Sequence, residues 1–116
     1  MSELDIPIFK KSYDLYRVFY GYRLNVAKQD RYVLWQRCED GLLDVIEHIL
    51  LASQSSPKDK LPILEKTSVR LNVLRVLVRL MKDVKAIDDK KYIAIEQGLD
   101  EIGSQLGGWI RSTKER

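Results

Sequence analysis

The chain has 116 residues, 45% of them hydrophobic and 32% charged, with 20 Lys and Arg against 17 Asp and Glu for a net charge of +3. That length suits one domain with its own core, spanning 1–116, and a single cysteine, Cys38, excludes an internal disulfide framework. No stretch approaches the roughly 18 uninterrupted apolar residues of a membrane span, and the acidic-first start MSELDIPIFKK lacks a signal-peptide core, so a cytoplasmic protein with no membrane partner is expected.

The first predicted helix covers about 6–26. Asp5 followed by Pro7 is a helix-start pattern, because proline is tolerated in a first turn. Phe9, Tyr13, Tyr16 and Tyr20 recur every three or four residues on one face. Such a stripe is expected to pack in a helix–helix seam, with base stacking on exposed tyrosines as the alternative. A second helix is predicted over 30–53, with Asp30 as N-cap and Trp35, Cys38, Leu42, Val45, Ile49 and Ala52 as its seam. The loop SQSSPKDK leads to a third helix over about 58–87, which starts at either Ser56-Pro57 or Pro62.

That third helix organises the reading. Its stretch from Leu61 to Ile87 is about 39 Å long if helical throughout. Its apolar residues fill about 220° of the circumference, whereas one core needs a stripe a little over 100° wide. The helix therefore has apolar surface for its own bundle and for a neighbour. Its polar ridge reads Ser68, Asn72, Arg75, Arg79 and Lys82. Arg70 falls inside the apolar arc, so it is expected to be buried and paired with a carboxylate of the second helix, either within the subunit or across an interface. A fourth helix is predicted over 89–111, capped by Asp88 or Asp89. Its seam Tyr92, Ile95, Leu99, Ile102, Leu106 and Trp109 steps three and four in alternation. Gly98 and Gly103 flank that seam and suggest close approach by a neighbouring helix. Together these elements predict an all-α, antiparallel up-down four-helix bundle. Its surplus apolar surface predicts a homo-oligomer.

Catalytic and metal chemistry find little support. His48 is the only histidine and directly follows Glu47, so the Glu-x-x-His pattern of di-iron bundles is absent. Cys38 sits in the second seam without a basic partner to activate it. The late glycines follow no strand and form no phosphate cradle. No enzyme and no cofactor are expected. Cations remain as candidates for binding. Residues 57–87 hold eight basic and three acidic side chains, while 30–53 hold two and five. Arg75, Arg79 and Lys82 share one ridge with Lys85 at its edge. Lys10, Lys11, Arg17 and Arg23, and Arg111, Lys114 and Arg116 in the tail, extend the surface if symmetry gathers copies. Phosphate contact needs no strict motif, and a solvated helix face is the plain alternative. Arg70, Trp35, Trp109 and Gly103 are expected to serve structure or an interface.

Three segments in order, RYVLWQRCEDGLLDVIEHI, LNVLRVLVRLMKDVKAI and YIAIEQGLDEIGSQLGGWI, resemble a four-helix-bundle family with two groups. One is the accessory variability determinant (Avd) proteins of diversity-generating retroelements. The other is the proteins encoded in 23S ribosomal RNA intervening sequences. The most specific features are Leu74-Arg75 with Arg79-Leu80, and the ending from Glu101 to Ile110. Trp35 stands where the family commonly has a small residue, and Cys38 where an aliphatic one is usual. The resemblance implies a homopentameric barrel that is not itself an enzyme. For the Avd group it implies binding of the reverse transcriptase and of RNA or DNA in mutagenic retrohoming. An intervening-sequence protein of another role, and a bundle holding a small apolar ligand, are the other two readings.

Overall fold

The computed structural model describes residues 6–115; the predicted start at Asp5 and the tail residue Arg116 lie outside that range. Four long helices make a bundle of 46 × 25 × 21 Å, with no strand among the described residues. They are α1 (Pro7–Tyr22), α3 (Leu34–Ser53), α4 (Pro57–Asp83) and α5 (Asp89–Lys114), with a four-residue helix α2 (Lys28–Arg31) after α1. Contacts run α1 to α3, α3 to α4, α4 to α5 and α5 back to α1. Each long helix thus has two neighbours around one core, in the up-down order that short links impose.

The ends show why the sequence folds this way. α1 begins with Pro7 in its first turn, where the missing N–H costs nothing. It stops at Tyr22 rather than near Val26, because Arg23–Asn25 tighten into a 3-10 turn that sends Val26, only 2% exposed, into the core. The predicted second helix is also interrupted. Asp30 does not cap it but lies within α2, and the chain turns at Tyr32-Val33 before α3 begins. The seam of α3 steps four and three from Trp35 to Ala52. Continued one step back, it would place Arg31 in the core. Burying an unpaired guanidinium is costly. At the turn Arg31 is half-buried, its Nη2 donating to the Val26 carbonyl at 3.0 Å while its buried Nε has no partner among the described residues.

Ser56 caps α4 by accepting the Asp59 N–H at 3.3 Å, with Pro57 in the first turn and Pro62 inside the helix. α4 ends at Asp83, four residues before the predicted end. Lys85 adopts a positive φ of 63° there, and the buried Ala86 and Ile87 close the end of the bundle. Asp88 caps α5 through the Lys91 N–H at 2.8 Å, and α5 runs on to Lys114.

Trp35 and Phe19 stack at 3.7 Å between centroids and 5° between planes in the core centre. Trp35 is 0% exposed, so its role is internal packing and not an interface. Leu42, Ile49, Leu64, Leu74, Ile95 and Ile102 are among the core residues around them, each such burial stabilising by roughly 1.5–3 kcal/mol against an exposed side chain. The glycine expectation holds in a modified form: side chains, not backbones, make the close approach. Leu15 of α1 fills the space beside Gly98, and Arg75 of α4 fills the space beside Gly103.

Candidate interaction surfaces

α4 contributes Leu64, Thr67, Leu71, Leu74, Val78 and Met81 to the core. Its opposite face carries Val69, Val73, Val76, Leu80 and Val84, exposed by 62, 48, 67, 44 and 52%. These five recur at steps of four, three, four and four, so they form one continuous outward stripe over four turns. Isolated exposed apolar residues are ordinary on a protein surface; a contiguous aliphatic stripe on a helix is not.

Ion pairs flank α4 on both sides. Toward α3, Arg70 Nε lies 3.3 Å from Asp44 Oδ2. The expected carboxylate of the second predicted helix is there, within the same chain. The expected burial is not, since the Arg70 side chain is 53% exposed. The two residues border a groove between α3 and α4 that Arg37, Asp40, Val73 and Leu77 also line. Toward α5, Arg75 donates to Glu96 Oε1 at 3.2 Å, to the Leu99 carbonyl at 3.2 Å and to Asp100. Its guanidinium occupies the hollow that Gly103 leaves open; a Cβ at Gly103 would lie 2.7 Å from Arg75 Nη2.

This geometry corrects the predicted ridge. Arg75 does not project into solvent beside Arg79 and Lys82; it clamps α4 to α5. Arg79 is exposed and pairs with Asp83 one turn on, at 3.1 Å. Lys82 rests over the Tyr92 ring at 4.9 Å from its centroid. Lys10 pairs with Asp14 and Lys11 with Glu101, both at 2.9 Å. Lys85, Arg111 and Lys114 are exposed and have no carboxylate within ion-pair distance among the described residues. Lys85 lies in the α4–α5 turn, while Arg111 and Lys114 lie at the far end of α5, so the nominated cations do not converge within one chain. Trp109 is half-buried against the core, with the Lys60 ammonium 5.6 Å from its ring centroid. Helical spacing on α4 does not reveal the pairing of Arg75 with Glu96 and Asp100. The two acids stand four apart on α5, which is the available signal, but nothing local ties them to α4.

The remaining candidate groups are quiet. Burial pushes the Cys38 thiol up to about 12, so it stays protonated at neutral pH. His48 Nδ1 lies 2.7 Å from the Asp44 carbonyl within α3. Burial, and then the charge of Glu39, raises the Tyr16 phenol above its ordinary value. The aromatic stripe of α1 divides between the two expectations: Phe9 and Tyr16 pack against the core, while Tyr13 and Tyr20 are 43% and 60% exposed.

The fold and its surfaces define a class: an all-α four-helix bundle with a filled core and an uncovered aliphatic stripe on one helix. No described helix is long and apolar enough to cross a membrane. The profile of the bAvd-like family matches residues 7–113, nearly the whole chain, and the protein belongs to that family. No curated protein matches the chain.

Proposed function

We propose that the protein is a non-catalytic accessory factor of a diversity-generating retroelement. In this reading it self-associates and holds a reverse transcriptase together with nucleic acid. The observation that carries the scaffold is the α4 stripe. Its five exposed aliphatic residues need a partner surface. The ion pairs that flank them leave the stripe itself free of charge, as the core of an interface should be. Family membership supports the remainder: the resemblance implies a five-membered ring, a polymerase partner and RNA or DNA. In a ring, each subunit adds Lys82, Lys85, Arg111 and Lys114, and multivalency turns weak single contacts into useful affinity.

The test is the solution mass of the purified protein, alone and co-expressed with a reverse transcriptase, for wild type and Val76→Glu. A charge at the middle of the stripe should dissociate the assembly while leaving helix content intact, because Val76 is 67% exposed and outside the core. A wild-type protein that stays monomeric at micromolar concentration would overturn the scaffold. The intervening-sequence reading keeps one observation in its favour: Arg75 and Arg79 are already neutralised within the chain. An assembly that forms but never retains polymerase or nucleic acid would select it.

A further inference from the structure

α1 buries one face, Ile8, Ser12, Leu15 and Phe19, against its neighbours. Another face carries Phe9, Tyr13, Tyr16 and Tyr20 at steps of four, three and four. The rings pair along the helix. Phe9 and Tyr13 lie 6.4 Å apart at 28°, Tyr16 and Tyr20 6.3 Å apart at 36°. Tyr13 and Tyr20 are 43% and 60% exposed, so part of each ring reaches solvent. Arg17 lies between them in sequence, about 40° around the axis from Tyr13 and 60° from Tyr20, and shares a groove with Tyr16 and Tyr20. Arg23 follows in the 3-10 turn. Neither arginine has a carboxylate within ion-pair distance among the described residues.

The chemistry of this face differs from that of the α4 stripe. The stripe is aliphatic and its bordering arginines are paired. A partner docking on α1 must bring its own anionic groups to Arg17 and Arg23, since an unpaired buried guanidinium is costly. A phosphodiester strand supplies those groups, and its bases supply flat surfaces for the rings. A duplex offers only phosphates, because its bases are already stacked on one another. Single-stranded nucleic acid uses both kinds of side chain present.

We propose that the tyrosine face of α1 binds single-stranded nucleic acid, with bases stacking on Tyr13 and Tyr20 and phosphates meeting Arg17 and Arg23. Tyr13 and Tyr20 are seven residues and about 10 Å apart along the helix, so they engage different nucleotides. Tyr16 is the more buried ring and has Glu39 of α3 beside it, so it supports Tyr20 rather than meeting the strand. This site deepens the nucleic-acid half of the proposed function and rests on it, but needs neither the polymerase nor the α4 stripe.

The test is fluorescence anisotropy with labelled oligo-uridine and with an RNA duplex of equal length. It compares wild type, Tyr13→Ala/Tyr20→Ala, Tyr13→Phe/Tyr20→Phe and Arg17→Glu, with circular dichroism and solution mass measured for each. The double alanine variant should bind the single strand about tenfold or more weakly, since each stacked base contributes a few-fold to a hundredfold. The phenylalanine variant should bind as wild type does. Arg17→Glu should weaken binding and flatten its salt dependence. Wild-type affinity in the double alanine variant overturns the site. So does equal loss for single strand and duplex. A double alanine variant that falls apart to monomers overturns it too, because the face is then an interface between copies. Wild-type protein that binds no single strand yet retains the polymerase removes this inference and leaves the scaffold standing.

Discussion

Replacing Arg75 by alanine separates a structural clamp from a binding residue. In the structure Arg75 joins α4 to three acceptors on α5: Glu96, Asp100 and the Leu99 carbonyl. A hydrogen bond involving a charged group contributes about 1.5–3 kcal/mol when well buried, whereas an exposed ion pair contributes about 0.2–1 kcal/mol. Arg75 is intermediate, its side chain 28% exposed, with Glu96 at 30% and Asp100 at 62%. Asp100 therefore belongs near the lower figure, and the bonds to Glu96 and Leu99 between the two. Removal also leaves two carboxylates four residues apart on α5, a repulsion of a few tenths of a kcal/mol. The expected loss is about 1–2 kcal/mol, or roughly 4–8 °C in Tm for a domain of this size. Urea unfolding at one fixed protein concentration measures it, since association would otherwise shift the midpoint. A cycle with Asp100→Ala reports the coupling directly. Arg75→Lys should recover little, because a single ammonium cannot reproduce the planar fork. Unchanged stability together with lost RNA or polymerase binding would refute the clamp and return Arg75 to the binding surface.

Four further outcomes follow from local geometry. Gly98→Ala should lower the urea midpoint, since the new Cβ would lie 2.7 Å from Leu15 Cδ1 and 3.3 Å from Leu15 Cγ; overpacking of about 1–3 kcal/mol outweighs a helix-propensity gain of about 1 kcal/mol. Gly21→Ala, with nothing within 4 Å of the new Cβ, should raise the midpoint instead. Cys38 should ignore a thiol reagent at pH 8 in the folded protein and react fully in urea, because burial holds its pKa at about 12; rapid labelling of the native state would show an open core. Asp88 accepts the Lys91 backbone N–H and its ammonium, which lower its pKa below the ordinary 3.8. A depressed carboxylate pKa means that the cap stabilises fully above about pH 4 and that its contribution fades as pH falls through the folded value. Asp88→Asn should flatten that part of the acid limb of a Tm–pH curve, and an unchanged limb would exclude the cap as its source.

The four long helices are legible in the sequence because their seams hold to three- and four-residue steps. Ser56-Pro57 and Asp88 mark real starts for the same local reason. The turn at Tyr32-Val33 is not legible, since no glycine or proline stands there. The residue one step back along the α3 seam is Arg31, and its position matters only once that seam is known to face a closed core. The surroundings of the ridge are hidden in a similar way. Angles around a helix show that Arg75, Arg79 and Lys82 are neighbours. They do not show that α5 brings Glu96 and Asp100 against one edge of that ridge. The exposed stripe fared better, because an apolar arc too wide for one core is a property of α4 alone.

That wide arc poses a physical problem which the ion pairs solve. A helix apolar around more than half its circumference could roll about its axis and still bury valines and leucines, so burial alone sets its orientation weakly. Arg75, held by α5, and Arg70, held by Asp44 of α3, lie on opposite flanks of the α4 core face. A roll in either direction breaks one pair or drives the other guanidinium toward the core. The sequence features that carry the family resemblance divide this work among themselves. Leu74 points inward at 2% exposure, Arg75 reaches sideways into the space beside Gly103, and Leu80 stands outward at 44% in the stripe. Arg75 of α4 and Gly103, within the Glu101–Ile110 ending of α5, are therefore two halves of one contact. What that contact fixes is the direction in which the stripe faces, and the proposed self-association depends on that direction.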